Sequence, residues 1–240
     1  MLKPLLIALQ FLTRFPVKTG NWSDRDIGRS MLFYPLVGLL LGVALAAVGA
    51  ALRGAAPGVV AAVLLALWVL ATGALHLDGL ADSADAWVGG FGDPQRTLDI
   101  MRDPRCGPVA IAVVALVLIA KFATLEALLA TNALLAVATA PVLGRAAPPL
   151  LFATTRYVRA SGVGTALAQW LPRKSAVVVA AAFGLAAGIA NLWMMLGAAV
   201  AFVALRALMV QRIGGTTGDT AGAMVELIET AALLVASLTL

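Results

Sequence analysis

Cysteine and histidine are almost absent from this chain: Cys106 and His76 are the only ones among 240 residues. A single cysteine builds no disulfide framework, and the two together exclude any multi-Cys or multi-His metal site. Charge is also scarce, at 12% of residues against 62% apolar. A soluble domain carries about 25% charged and about 45–50% apolar residues. With a mean hydropathy of +0.98, this chain could not cover itself with polar side chains in water. A Walker-type loop, a Ser/His/Asp set and a dinucleotide glycine motif are all missing, which argues against ATP hydrolysis and acyl transfer. Lys+Arg outnumber Asp+Glu by 17 to 12. No basic stripe with interleaved aromatics goes with that excess, so no nucleic acid is expected as a partner. The run 1–15 is interrupted by Pro4, Gln10 and Arg14, and no small-residue cleavage site follows, so it does not read as a cleavable signal.

What the chain does have is long apolar runs. Several approach ~20 residues, about 30 Å of helix and the thickness of a bilayer core. The expectation is an all-α, polytopic integral membrane bundle of about six or seven transmembrane helices, forming one catalytic domain over 1–240. An amphipathic helix over about 1–17 precedes the spans and lies on the membrane or lines the site. Spans are predicted at about 31–52, 58–76, 108–125, 128–152, 175–189 and 192–210, with 220–240 able to make a seventh. With the N-terminus inside, Lys3, Arg14, Lys18, Arg25 and Arg29 face the cytoplasm. So do Arg96, Arg102 and Arg105, then Arg156, Arg159, Arg173 and Lys174, and Arg212. Arg53 is left outside, with Lys121 the other candidate for that face. This bias sets the orientation and puts every motif-bearing loop on one face.

Six of the twelve acids fall within 78–107. In His76-Leu-Asp78-Gly-Leu-Ala-Asp82-Ser-Ala-Asp85 the aspartates recur at i, i+4 and i+7, one face of a helix. Three carboxylates facing lipid would cost about 8–10 kcal/mol, at about 2.5–3.5 each. A divalent cation would remove that penalty and their mutual repulsion, and oxygen-only ligation favours Mg²⁺ or Mn²⁺ over zinc. The bland alternative is a solvated acidic helix at the membrane surface. His76 reads either as an interfacial side chain or as a substrate contact. In Ile100-Met-Arg102-Asp103-Pro-Arg105-Cys-Gly107, charge alone leaves two readings open: a phosphate clamp beside a metal-binding acid, or a juxtamembrane ion-pair cluster. In Gly214-Gly-Thr-Thr-Gly218-Asp219-Thr-Ala-Gly222-Ala, glycines and threonines at a helix mouth could present N–H groups to an anion, with Asp219 as N-cap. Gly214, Gly215 and Thr217 are the candidate contacts. Glu226 and Glu229 follow in an apolar stretch, where acids are rare and usually functional, and Glu226 shares a face with Asp219. Arg145 lies within the fourth span and needs an anionic partner, either the aspartates or a phosphate. Together these are the parts of metal-assisted phosphoryl transfer.

Phe11-Leu-Thr-Arg14-Phe-Pro, the 76–85 acidic helix, 100–107 and 214–223, in this order and spacing, resemble the cobalamin synthase (adenosylcobinamide-GDP ribazoletransferase) family over nearly the whole chain. Departures occur at Ala86, where glycine is expected, and at Pro104, where serine is usual. The resemblance implies that a ribose hydroxyl of α-ribazole, or of its 5′-phosphate, attacks the cobinamide-bearing phosphate of adenosylcobinamide-GDP. GMP is released, with Mg²⁺ required. On that basis Asp78, Asp82, Asp85, Asp103, Asp219 and Glu226 are the expected metal ligands, and Asp82 and Asp85 the expected catalytic carboxylates. Arg14, His76, Arg102, Arg105 and Arg145 are expected on the substrate. The expected location is a bacterial cytoplasmic (inner) membrane, with the site on the cytoplasmic face. A homo-oligomer or a complex with other cobalamin-assembly enzymes is left open. The alternatives are a CDP-alcohol phosphotransferase-like lipid headgroup enzyme, whose Asp-Gly-x-x-Ala-Arg motif Asp78-Gly-Leu-Ala-Asp82 echoes, and an ion-coupled transporter.

Overall fold

The computed structural model describes residues 2–17, 20–160 and 162–240, and no strand occurs among them. Helix α1 (Leu2–Leu12) buries Ile7, Ala8 and Leu12. Helix α2 (Asp24–Ser30) begins where the Ser23 hydroxyl accepts the Asp26 N–H, and Asp24 and Asp26 in its first turn complement the helix dipole. A 3₁₀ turn continues it into α3 (Tyr34–Ala51), so 24–51 runs as one continuous rod whose apolar part begins at Met31. Helix α4 (Pro57–Thr72) starts on a proline and stops at Gly73. Both Gly73 and Ala74 take positive φ, and the chain turns by 87° into α5 (Leu75–Gly89). A non-glycine residue in the left-handed region costs of order 1 kcal/mol, so this corner is held by its surroundings. Asp93 caps the short α6 (Pro94–Ile100).

Then come α7 (Pro108–Ala130), α8 (Leu134–Thr154), α9 (Val163–Trp170), α10 (Arg173–Ala190), α11 (Leu192–Ile213) and α12 (Gly218–Leu238). Among the described residues six helical stretches are long and apolar enough to cross a bilayer, and the bent α4–α5 pair makes up to a seventh. The chain is thus an all-helical integral membrane bundle, as its composition requires. One difference from the sequence-based expectation lies in 154–174, predicted as a polar loop. It contains α9, whose Leu167 is buried against the core.

Burial sorts the helices. The apolar stretches of α8 and α12 are 78% and 61% buried, those of α10 and α11 only 17% each. The first pair is therefore the protein core, and the second presents its apolar side chains to lipid. Gly49 faces Leu134, Gly42 faces Ala138 and Gly38 faces Pro141, so α3 and α8 run antiparallel. At Gly38 and Gly42 the neighbour is a backbone carbonyl, and no Cβ would fit. Small residues four apart give the close backbone approach that membrane helices use in place of a hydrophobic driving force. The turns near 52–57 and 129–132 share one end of the bundle. The connections 90–107, 155–160 and 214–217 gather at the other, and that end holds the site.

Gly42→Val should destabilise the fold by about 1–3 kcal/mol, because the overpacked Ala138 backbone cannot move aside. Gly54→Ala, at a position with no neighbour within 4 Å, is the control and should stay near wild type. Thermal unfolding of the detergent-solubilised protein checks the contrast.

Candidate active site

The site is assembled where α5 crosses the start of α12. Gly79 rests on the backbone of Asp219: a Cβ there would lie 2.7 Å from the Asp219 carbonyl oxygen. Gly222 faces back onto His76 and Gly79, at 3.4–3.6 Å from its own would-be Cβ. Glycine at 79 lets the helix axes close up, which carries the carboxylate face of α5 against Asp219, whereas a Cβ at 222 would make only ordinary contact. Asp82 lies within the fields of Asp78, Asp219 and Asp85 together.

Beside this crossing is a cavity of about 250 Å³, lined on its polar side by His76, Asp78, Arg159 and Asp219. Its other walls are apolar and aromatic, with Phe11, Tyr34, Phe152 and Tyr157 contributing. Phe152 and Tyr157 pack in a tilted pair at 5.4 Å between centroids, and Phe11 stacks on Tyr34 at 6.1 Å. Burial pushes the Tyr157 phenol up, so it faces the cavity as a neutral hydroxyl.

Arg159 was not anticipated as a site residue. Its Nη2 sits 2.5 Å from Asp219 Oδ2 and donates to the Met101 carbonyl at 3.2 Å, joining three segments. The loop that carries it is pinned by backbone bonds in both directions: Val158 N–H to the Thr216 carbonyl at 3.0 Å, and Thr216 N–H to the Arg156 carbonyl at 2.8 Å. Arg206 adds bonds to Thr155 Oγ1 at 2.9 Å and to the Thr154 carbonyl at 2.8 Å. Gly215 is needed there, because a side chain would strike the Arg156 carbonyl. Gly214, at φ +70°, closes α11. Thr217 is buried as the cap of α12: its hydroxyl accepts the Thr220 N–H at 3.2 Å, and its N–H donates to Thr220 Oγ1 at 2.9 Å. The Gly/Thr segment therefore spends these groups on shaping the loop and starting the helix.

Other predicted residues lie elsewhere. Asp85 uses both oxygens to cap α7, accepting from Gly107 N–H at 2.5 Å and from Ala110 N–H at 2.9 Å. Asp103 and Arg105 pair with each other at 2.5 Å on the surface, with the Arg105 side chain 87% exposed. Hydrogen bonds from Arg105 hold the Asp103 carboxyl at about 2. Arg102 is exposed on the same turn. Arg14 lies over Gly73, with its N–H bonded to the Ala71 carbonyl at 2.7 Å, so it braces the α4–α5 corner.

Arg145 and Glu226, expected on phosphate and on metal, belong to a separate buried cluster. Lys121 Nζ lies 2.6 Å from both Glu226 Oε2 and Glu229 Oε2, and Arg145 pairs with Glu229. The ammonium also sits 4.7 Å from the centre of the Trp68 ring. Two cations and two anions balance, which explains why these charges stay inside the bundle rather than reaching the cavity. Lys121, which the sequence left as a candidate for the outer face, is the partner that was missed. Gly144 gives the Glu229 side chain room to reach Arg145.

An all-helical membrane bundle with carboxylates and a guanidinium at the mouth of a largely apolar cleft defines a polytopic membrane enzyme suited to phosphorylated substrates. A family model described as cobalamin-5-phosphate synthase matches residues 4–237. The chain belongs to that family. It is 54% identical over 236 residues to an adenosylcobinamide-GDP ribazoletransferase of Pseudomonas fluorescens (strain Pf0-1), covering 96% of this chain and 97% of that protein. The same enzyme of Pseudomonas aeruginosa (strain UCBPP-PA14) is 52% identical over 241 residues, covering 99% and 98%. No solved structure matches the chain significantly.

Lys121→Met would leave Glu226 and Glu229 with Arg145 alone, an uncompensated buried charge worth about 3–5 kcal/mol. The double variant Lys121→Met with Glu226→Gln restores the balance and should recover much of that loss. Unfolding midpoints of the two variants in detergent decide the point.

Proposed function

We propose that this chain transfers the cobinamide-phosphate moiety of adenosylcobinamide-GDP to a ribose hydroxyl of α-ribazole, or of its 5′-phosphate, in a Mg²⁺-dependent reaction that releases GMP. Beyond the family membership, the observation that carries the reading is the cleft in which Asp78 and Asp219 meet Arg159 beside an aromatic cavity. The aromatic walls suit the flat base of the acceptor, and the cavity is far smaller than a corrinoid, so only the phosphorylated end of the donor enters. Arg159 is the guanidinium available to phosphate oxygens at this point, and bidentate guanidinium–phosphate contact is the strong form of that interaction. The hydroxyl oxygen forms the new bond to the cobinamide-bearing phosphorus. The bond from that phosphorus to the GMP oxygen breaks, and the hydroxyl proton passes to a carboxylate. Asp78 suits that role because it lines the cavity, whereas both oxygens of Asp85 are already bonded.

The donor set also fits the metal. Asp78, Asp82 and Asp219 offer hard oxygens whose charges outnumber the single Arg159 beside them. Among the described residues no three such groups close on one point. Mg²⁺ does not need them to, because it is usually held by one or two carboxylates plus substrate phosphates and waters. Asp82 and Asp219 are the side chains that would hold it. When bound, the ion would neutralise the diphosphate.

The basic residues concentrate at the site end of the bundle, which supports a cytoplasmic active-site face and an inside N-terminus in a bacterial inner membrane. Cys106 is free and exposed at that end and is the only cysteine in the chain, so it reports the orientation. A membrane-impermeant maleimide should label it in inverted vesicles and not in intact cells. Labelling from the outside would reverse the assignment.

Purified protein given adenosylcobinamide-GDP, α-ribazole and Mg²⁺ should release GMP. Asp82→Asn and Arg159→Gln should each lower turnover by ~10²-fold or more, with helical circular dichroism unchanged. Near-wild-type turnover in either variant would remove that residue from the mechanism.

A further inference from the structure

A second cavity, about 520 Å³ and open to water, shares Tyr157 and Arg159 with the first, so the two cavities meet at that segment. The chemistry changes across it. The first cavity is aromatic and carries carboxylates. The second is walled by Arg156, Arg159 and Arg173 together with Thr165 and Gln169, and no acid lines it. Two donors there have nothing to bind: Arg159 Nε and Thr165 Oγ1 are buried without a hydrogen-bond partner among the described residues. Buried polar atoms left unpaired are uncommon, and their presence on a cavity wall points to an absent ligand with acceptor atoms. Three guanidiniums select phosphate. The Gln169 amide offers a donor and an acceptor side by side, the pattern that reads the edge of a nucleobase. A volume of this size accommodates a nucleotide.

We propose that this basic cavity is the leaving-nucleotide subsite, holding the purine nucleoside monophosphate half of the donor, while the aromatic cavity holds the acceptor nucleoside. The assignment rests on the reaction proposed above and deepens it. The diphosphate then straddles Arg159. The acceptor oxygen approaches the reacting phosphorus from the aromatic side. The bridging oxygen leaves on the opposite side with the bonding electron pair, and its new negative charge faces Arg156, Arg159 and Arg173. The acceptor proton goes to Asp78. Acceptor and leaving group reaching one phosphorus from the two cavities that meet at Arg159 is the in-line arrangement that phosphoryl transfer requires.

The test uses the whole protein in lipid nanodiscs, with GMP as the probe. GMP should inhibit competitively against adenosylcobinamide-GDP and not against α-ribazole. Arg173→Gln should weaken GMP binding and raise KM for the donor, each about tenfold, with KM for α-ribazole within twofold of wild type. Thr165→Val, at a buried hydroxyl and conservative in shape, should weaken GMP binding in the same direction. If wild type releases GMP but GMP binding and donor KM are unchanged in both variants, the subsite is wrong and the reaction stands. If Arg173→Gln alters only the dependence of activity on phosphatidylglycerol content, the cavity is a lipid headgroup contact and the proposal falls. Absence of GMP release by folded wild type overturns the reaction itself.

Discussion

The contact on which the site depends is the crossing of α5 over the N-terminal turn of α12. Gly79 allows it, because any Cβ there would meet the Asp219 backbone. A methyl group at that position would push the two helices apart and draw Asp78 and Asp82 away from Asp219 and Arg159. The cost of gathering like charges is then met locally. Asp219 has Arg159, Asp85 has two backbone amides of α7, and Asp78 and Asp82 keep access to water. Repulsion among the aspartates is thus left at Asp78 and Asp82, where in the reaction proposed above a cation and a diphosphate would relieve it.

Beneath this polar mouth the bundle contains a second electrostatic unit with a different purpose. Lys121, Glu226, Glu229 and Arg145 neutralise one another across α7, α8 and α12, and Trp68 on α4 shields the ammonium. Charge pairs inside a membrane core fix the register of the helices that carry them, because any slip leaves a charge uncompensated in hydrocarbon. Helix α12 carries Asp219 at its first turn and Glu226 and Glu229 two and three turns lower. The same helix is therefore locked below and functional above.

Much of this was legible from residue type and order. The apolar runs located the spans to within a few residues. The i, i+4, i+7 aspartates marked α5, and the Gly/Thr segment marked the start of α12. The partners across the bundle were not legible. Arg159 looks like one more basic loop residue until the Thr216 bridge and the Asp219 contact place it, and nothing in its local pattern separates it from Arg156 or Arg173. Asp85 shares the periodicity of Asp78 and Asp82, yet it turns to the amides of α7, because periodicity gives a face and not what that face meets. The quartet left a clearer trace: Lys121, Arg145, Glu226 and Glu229 fall within apolar helices, where each needs a partner, but residue type alone does not say which meets which. The polar composition of 154–174 hid α9, whose apolar residues fill only one stripe of a short helix.

Asp85 also has a mechanical consequence. Its carboxylate ties the acidic helix to the upper end of α7, a 23-residue rod about 34 Å long that exceeds a typical hydrocarbon core. A rod longer than its bilayer tilts, and tilts more as the bilayer thins. A change of tilt in α7 would therefore be passed through that one side chain to the helix that carries Asp78 and Asp82.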